Sequence, residues 1–184
     1  ASHDGTADDE KGDLIFKTND GNDATSPTER LRIDSNGSIL TATLGTDNVH
    51  LGEGAGASIV SGGNYNTLVG KDAGTAITTG DYNTAVGQLA LDANTTGSNN
   101  TALGRISLSA ATTADNNTAV GYAAGEAVTT GANNVLVGAS SGDAITTGGD
   151  NTAVGTGALS AATTASNNTA VGFEAGATTT TGGL

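Results

Sequence analysis

The sequence has few of the side chains that normally fill a globular core. Its 184 residues include no Cys, Met or Trp, and aromatic residues make up 3% of the chain. Large apolar side chains dominate compact interiors, so we do not expect an ordinary globule. The absence of Cys excludes a disulfide framework and a thiol nucleophile. No apolar run approaches the ~20 residues of a membrane-spanning helix, so we expect no membrane insertion.

Positive charge and histidine are also scarce. Six Lys and Arg residues oppose 19 Asp and Glu, which gives a formal net charge of -13. So acidic a chain is not expected to bind nucleic acid or an anionic membrane surface. His3 and His50, the two histidines, are too few for a catalytic zinc site, and no Ser or Thr has a recurring histidine base. We therefore expect no enzyme, no metal site and no cofactor.

What the sequence does contain is a strict repeat that begins with an asparagine. Strings such as NTAVG, NTLVG and NTALG recur every seventeen residues, and a degenerate copy, NVHLG, begins at Asn48. The repeated Asn residues are Asn66, Asn83, Asn100, Asn117, Asn134, Asn151 and Asn168. The glycines that close the same strings are Gly70, Gly87, Gly104, Gly121, Gly138, Gly155 and Gly172. Both sets are predicted structural anchors of the repeat.

The period and composition predict a parallel β-solenoid. Helical-pair repeats need roughly 33 residues or more, and Thr and Val favour strands. We predict an all-β protein whose residues 46–184 form a β-roll of about eight 17-residue coils, stacked about 4.8 Å apart. Stacked Asn side chains would hydrogen-bond along the roll, and each Gly would permit a bend or a close backbone approach.

Two sets of apolar residues at fixed repeat positions are expected to fill this thin roll. We call the residues that share one repeat position in successive coils a file. The first predicted inward file is Val69, Val86, Leu103, Val120, Val137, Val154 and Val171, and the second is Ala73, Ala90, Ser107, Ala124, Ser141, Ala158 and Ala175. The next position holds either Gly or Leu. Its leucines, Leu91, Leu108 and Leu159, are expected to cover a face that the glycine-bearing coils leave open.

Residues 1–45 have a different texture and are predicted to form a separate β module. GDLIFKT (12–18) and ERLRID (29–34) favour strands, SNG (35–37) favours a tight hairpin turn, and SILTAT (38–43) favours the returning strand. The loop NDGNDATS (19–26) has the oxygen-rich composition of a calcium loop but lacks its full spacing and distal Glu. A polar surface loop is therefore the preferred interpretation.

Three other groups of side chains are possible sites. Asp92, Glu126 and Asp143 share one repeat position, so the coil stacking would bring Glu126 and Asp143 about 4.8 Å apart. Solvated surface is preferred there over a weak cation site, and both over a glycan-hydrolysing pair. Thr pairs such as Thr129-Thr130 would stack into two files, of which only one would be exposed. Tyr122 shares its position with Lys71, Gln88, Arg105, Ala139, Thr156 and Phe173, so we expect it to point outward; with Tyr65 and Tyr82 it is a candidate recognition residue.

Two stretches resemble known families. NTAVGYAAG and the related strings resemble the head repeats of trimeric autotransporter adhesins, over about residues 48–184. GDLIFKTNDGNDATSPTERLRIDSNGSIL is similar to a segment of bacteriophage tail fibres, over about residues 12–40. Together they imply a homotrimeric, non-catalytic fibre segment in a virion, serving as shaft or host-attachment region, with a host cell-surface glycan or protein as receptor.

Two alternatives also fit the sequence. One is the head of a bacterial trimeric surface adhesin, and the other is an ice-binding β-solenoid that uses a Thr ladder. The chain stops at TTTTGGL, where the next repeated Asn would be due, and we expect it to be a fragment or a processed product.

Overall fold

The computed structural model describes residues 14–18, 28–33, 39–41 and 47–180. The chain divides into two compact units, residues 1–43 and residues 44–184.

The described residues of the first unit form three antiparallel strands. These are β1 (Leu14–Thr18), β2 (Thr28–Ile33) and β3 (Ile39–Thr41), in the order β1-β2-β3. Leu14 pairs with Ile33 and Leu31 pairs with Thr41, with a register shift after Phe16. The predicted SNG turn (35–37) and the calcium-like loop (19–26) lie outside the described residues.

The second unit is a parallel β-solenoid. Eight three-residue strands form one parallel sheet, each paired in register with the next, and residues 47–180 contain no helix. The predicted all-β parallel β-solenoid is confirmed, with eight strands and about seven turns. The strands are β4 (Val49–Leu51), β5 (Thr67–Val69), β6 (Thr84–Val86), β7 (Thr101–Leu103), β8 (Thr118–Val120), β9 (Val135–Val137), β10 (Thr152–Val154) and β11 (Thr169–Val171).

The prediction that Val69 and its equivalents point inward is wrong. In β5 to β11 the middle residue of each strand is buried, and the Val or Leu after it is half-buried or exposed, to 46% for Leu103 and 68% for Val171. Strand side chains alternate between faces, and the repeated Asn, two residues before the middle residue, already points inward. The Val therefore falls on the outer side with the Thr. The inward file is Leu68, Ala85, Ala102, Ala119, Leu136, Ala153 and Ala170.

The second predicted inward file lies where it was expected. Ala73, Ala90, Ser107, Ala124, Ser141 and Ala158 are buried, and Ala175 packs partly buried against them. The two serines in this file satisfy their hydroxyls internally. Ser107 Oγ donates to the Gly104 carbonyl and Ser141 Oγ donates to the Ala153 carbonyl, both at 2.9 Å. A small hydroxyl is thus tolerated inside the roll because a backbone acceptor lies within reach.

The position that holds either Gly or Leu belongs to the core, so its leucines fill the interior and do not cover an open face. Leu91, Leu108 and Leu159 are fully buried. A Cβ placed on Gly125 would lie 2.7 Å from Leu136 Cδ1 and 3.0 Å from Leu108 Cδ2. The glycine therefore leaves space that leucines from neighbouring coils occupy. The interior is filled because a Leu of one coil occupies the space that a Gly leaves in another coil.

These core leucines lie in left-handed backbone. The φ angles of Leu91, Leu108 and Leu159 are +53°, +49° and +54°, where the glycines of the same file have φ of about +60°. A bulky residue in this region costs on the order of 1–2 kcal/mol. Full burial of a Leu side chain contributes about 1.5–3 kcal/mol, so burial outweighs the backbone strain.

Candidate functional site

The repeated asparagines form a buried ladder along the roll. Asn134 N–H donates to Asn117 Oδ1 at 2.9 Å, and Asn117 Nδ2 donates to the Gly131 carbonyl at 2.9 Å. The same backbone-to-side-chain bond links every pair of successive anchors from Asn48 to Asn168. From Asn48 to Asn151, each side-chain amide thereby binds a turn carbonyl of its own coil and the backbone N–H of the next repeated Asn. The arrangement serves to stabilise the coil stack.

The closing glycines lie where successive coils approach each other too closely for a side chain. Gly121 has φ of +137°, and a Cβ on it would lie 2.5 Å from the Gly138 carbonyl oxygen. From Gly70 to Gly155 every closing glycine shows a comparable φ and a comparable clash with the next coil. The close approach that the sequence predicted at this position occurs between coils of one chain.

The structure brings two of the three candidate tyrosines together. Tyr65 and Tyr82 stack with their ring centroids 4.9 Å apart and their planes 8° from parallel. They remain 47% and 58% exposed, and both have φ of +57°. In later coils this left-handed position is held by Asn or Asp, which tolerate it better.

Tyr122 lies in a different file and points outward, as predicted. It is 53% exposed, and the Arg105 guanidinium lies over one face of its ring, with Cζ 5.7 Å from the centroid. Elsewhere in this file Lys71 pairs with Glu53 at 3.3 Å, and Arg105 Nε donates to Gln88 Oε1 at 3.3 Å. Such exposed pairs contribute at most about 1 kcal/mol, so the file contributes little to folding.

The file of acidic residues, Asp92, Glu126 and Asp143, is partly buried. Asp92 and Asp143 are half-buried and Glu126 is exposed. Burial raises the pKa of both aspartates, and a hydrogen bond from the Ser140 side chain opposes this rise at Asp143. Among the described residues, no three His, Cys, Asp or Glu side chains gather closely enough to hold a metal ion. The file is a polar surface on which burial raises the pKa of two aspartates.

His50 occupies the middle of β4, the strand position that faces the interior elsewhere. Its ring is half-buried, its Nε2 is buried without a hydrogen-bond partner, and burial lowers its pKa. A Cβ on Gly56 would lie 2.5 Å from the His50 ring, so the histidine fills its coil as Leu68 fills the next. His50 aligns with Leu68 in the repeat, and this alignment indicates its inward position once the middle residue of each strand is known to be buried.

The paired threonines form one bonded file and one exposed file. The first Thr of each pair donates its Oγ1 to the carbonyl of the corresponding Thr in the next coil, as Thr78 does to Thr95 at 3.0 Å. The second Thr is exposed in each pair from Thr79 to Thr164. The pairs therefore do not present two exposed rows.

A further surface, which the sequence pattern did not predict, is formed by the outward residues of the strands. We call it the outer sheet face. All sixteen of its residues are Thr, Val or Leu, and all are half-buried or exposed. Its two files are Val49, Thr67, Thr84, Thr101, Thr118, Val135, Thr152 and Thr169, and Leu51, Val69, Val86, Leu103, Val120, Val137, Val154 and Val171.

No protein-family model, curated protein or solved structure matches this chain. The described part of the chain also holds no helix with the length and apolar character needed to cross a bilayer.

Proposed function

We propose that this chain is a structural segment of a homotrimeric viral tail fibre, either its shaft or its host-attachment region. It would act in the virion, facing outward, without catalysis and without a cofactor. The proposal follows the two resemblances of the sequence, to phage tail-fibre segments and to trimeric adhesin heads. We also propose that β2 and β3 form a hairpin through the SNG turn (35–37).

The observation that carries the proposal is the outer sheet face. It has no charged residue in any of its eight strands, in a chain whose formal net charge is -13. Copies of so acidic a chain repel one another over most of their surface. An uncharged face is where they can approach without that repulsion, and its Val and Leu side chains gain from burial.

The size of this face fits an interaction surface. Eight strands spaced ~4.8 Å apart, each about 10 Å long, give a flat area of roughly 400 Å². The largest apolar patch on a typical monomer measures about 300–600 Å² and is often functional. Three copies arranged around one axis would each bury this face against the other two, as closed rotational symmetry allows.

Two alternative functions use the same structure differently. A bacterial trimeric adhesin head would share the trimer and differ in the rest of its gene, where a membrane-anchoring barrel would replace a fibre tip. An ice-binding solenoid would need a regular exposed Thr array. The Thr pairs expose one row only, so that alternative would have to use the outer sheet face as a monomer.

The oligomeric state of the full chain tests the proposal. We expect sedimentation equilibrium at micromolar concentration to give three times the chain mass of 17.7 kDa. Val120→Lys places a charge on the outer sheet face and should give monomers. Thr130→Lys places the same charge on the exposed Thr file and should leave the trimer intact. A wild-type monomer would refute the trimeric fibre, and inhibition of ice recrystallisation by that monomer would favour the third function.

A further inference from the structure

The outward file that contains Tyr122 places a small residue beside the tyrosine. Proceeding along the roll, Arg105 and Tyr122 are followed by Ala139 and then by Thr156. Ser140 N–H donates to the Tyr122 carbonyl at 2.9 Å, so the next coil stacks in register at this point. The Ala139 side chain ends at Cβ and cannot reach over a phenol ring. The ring face turned away from Arg105 therefore borders a gap floored by Ala139.

The gap has the height of one flat ring. Tyr122 and Thr156 lie two coils apart, which is roughly 9–10 Å at the spacing of parallel strands. A ring in van der Waals contact on both of its sides needs roughly 7–8 Å. One six-membered ring can thus stack on Tyr122 and reach Thr156 with its far side.

The chemistry around the gap favours a sugar ring. A flat aromatic face offers contact to the apolar C–H face of a pyranose, while the Thr156 hydroxyl can hydrogen-bond one of its hydroxyl groups. A protein partner would instead require a desolvated cluster of anchors, and Tyr122 is a single aromatic among polar neighbours. The net charge of -13 opposes the approach of anionic sugars.

We propose that the notch formed by Tyr122, Ala139 and Thr156 binds one neutral pyranose ring of a cell-surface glycan. This rests on the attachment role proposed above and names its ligand class. Arg105 holds the tyrosine ring from behind through its cation–π contact, which limits the rotation of the ring when it is free. Tyr65 and Tyr82 do not form an equivalent site, because each covers one face of the other and Asn99 follows Tyr82 where Ala139 follows Tyr122.

An oligosaccharide array probed with the full chain tests this inference. The array carries neutral gluco-, galacto- and manno-configured oligosaccharides, sialylated and sulfated ones, and glycoproteins before and after periodate oxidation. We expect binding to at least one neutral oligosaccharide, weakened roughly tenfold by Tyr122→Ala through loss of the stacking contact. Ala139→Gln, which fills the notch and leaves the tyrosine in place, should weaken binding by a similar factor.

The control is Tyr82→Ala, which removes a tyrosine of similar exposure from another file and should leave binding within about twofold, because it lies outside the notch. Binding to no neutral oligosaccharide, a preference for the anionic ones, or binding that survives both notch substitutions would overturn the inference. Equal binding to intact and oxidised glycoproteins would identify a protein surface and would also overturn it. The trimer measurement is independent of all these outcomes, so a failed glycan site and a failed fibre assignment can be told apart.

Discussion

Replacing one asparagine of the buried ladder should unfold the roll locally. In the wild type, Asn117 Oδ1 accepts the Asn134 N–H and Asn117 Nδ2 donates to the Gly131 carbonyl. Asn117→Ala removes both partners at once. The Asn134 N–H and the Gly131 carbonyl would then remain buried without a hydrogen bond.

The magnitude follows from those two orphaned groups. A buried polar group that loses its only partner costs roughly 1–3 kcal/mol, so the two together cost about 2–6 kcal/mol. A domain is typically stable by only about 5–15 kcal/mol, so this is a large fraction of the total. Asn116→Ala is the matched control: Asn116 is exposed with φ of +60°, and its replacement should cost about 1 kcal/mol from the left-handed backbone alone.

Urea unfolding followed by far-ultraviolet circular dichroism measures both variants, and hydrogen exchange locates the loss. Because each coil contacts only its neighbours, exchange should accelerate first in the coils on either side of residue 117. If Asn117→Ala unfolded at the same urea concentration as Asn116→Ala, with unchanged exchange in those coils, the ladder would not be what holds the coils together.

Three further changes test other parts of the roll. Gly125→Ala should lower the free energy of unfolding by about 1–3 kcal/mol through overpacking. The double variant with Leu136→Ala should lose less stability than the sum of the two single variants, because the added methyl no longer meets the leucine. Additive shifts of the urea midpoints would contradict the shared core space. Gly121→Ala should cost about 4 kcal/mol or more, since its Cβ would meet the Gly138 carbonyl oxygen, and a normally folded variant would disprove the close approach. Burial lowers the pKa of His50, so its contribution to stability is present above about pH 6.5 and is lost as the pH falls towards the lower folded-state value. Hydrogen exchange in β4 should therefore accelerate between pH 7 and 5 after correction for intrinsic rates, and His50→Leu should abolish that dependence; an unchanged dependence would assign it to another group.

Regular spacing made the repeat and its polar anchors predictable. An Asn and a Gly that return every seventeen residues must occupy equivalent places in a stack. The residue types limit what those places can be, since Asn can bond a turn and Gly can accept positive φ. The second inward file followed from the same logic because its members are all small.

The orientation of the strands was harder to predict. In a strand such as Thr-Ala-Val, the side chains of Thr and Val point to one face and that of Ala to the other, and the buried residue is Ala although Val is more apolar. Burying Val would have required exposing the Asn that the turn needs inside. The contribution of Leu108 or Leu136 to the core depends on volume exchanged with Gly125, a contact between coils that no single repeat contains. The stacking of Tyr65 on Tyr82 and the gap beside Tyr122 likewise depend on which residue the next coil supplies.

The sequence alone determined the solenoid, its period and its anchor residues, because periodicity acts on every coil in the same way. The tertiary structure alone decided which strand face is buried and which side chains meet across coils. Those features depend on packing and hydrogen-bond satisfaction between segments seventeen residues apart, and one-dimensional propensity does not encode them.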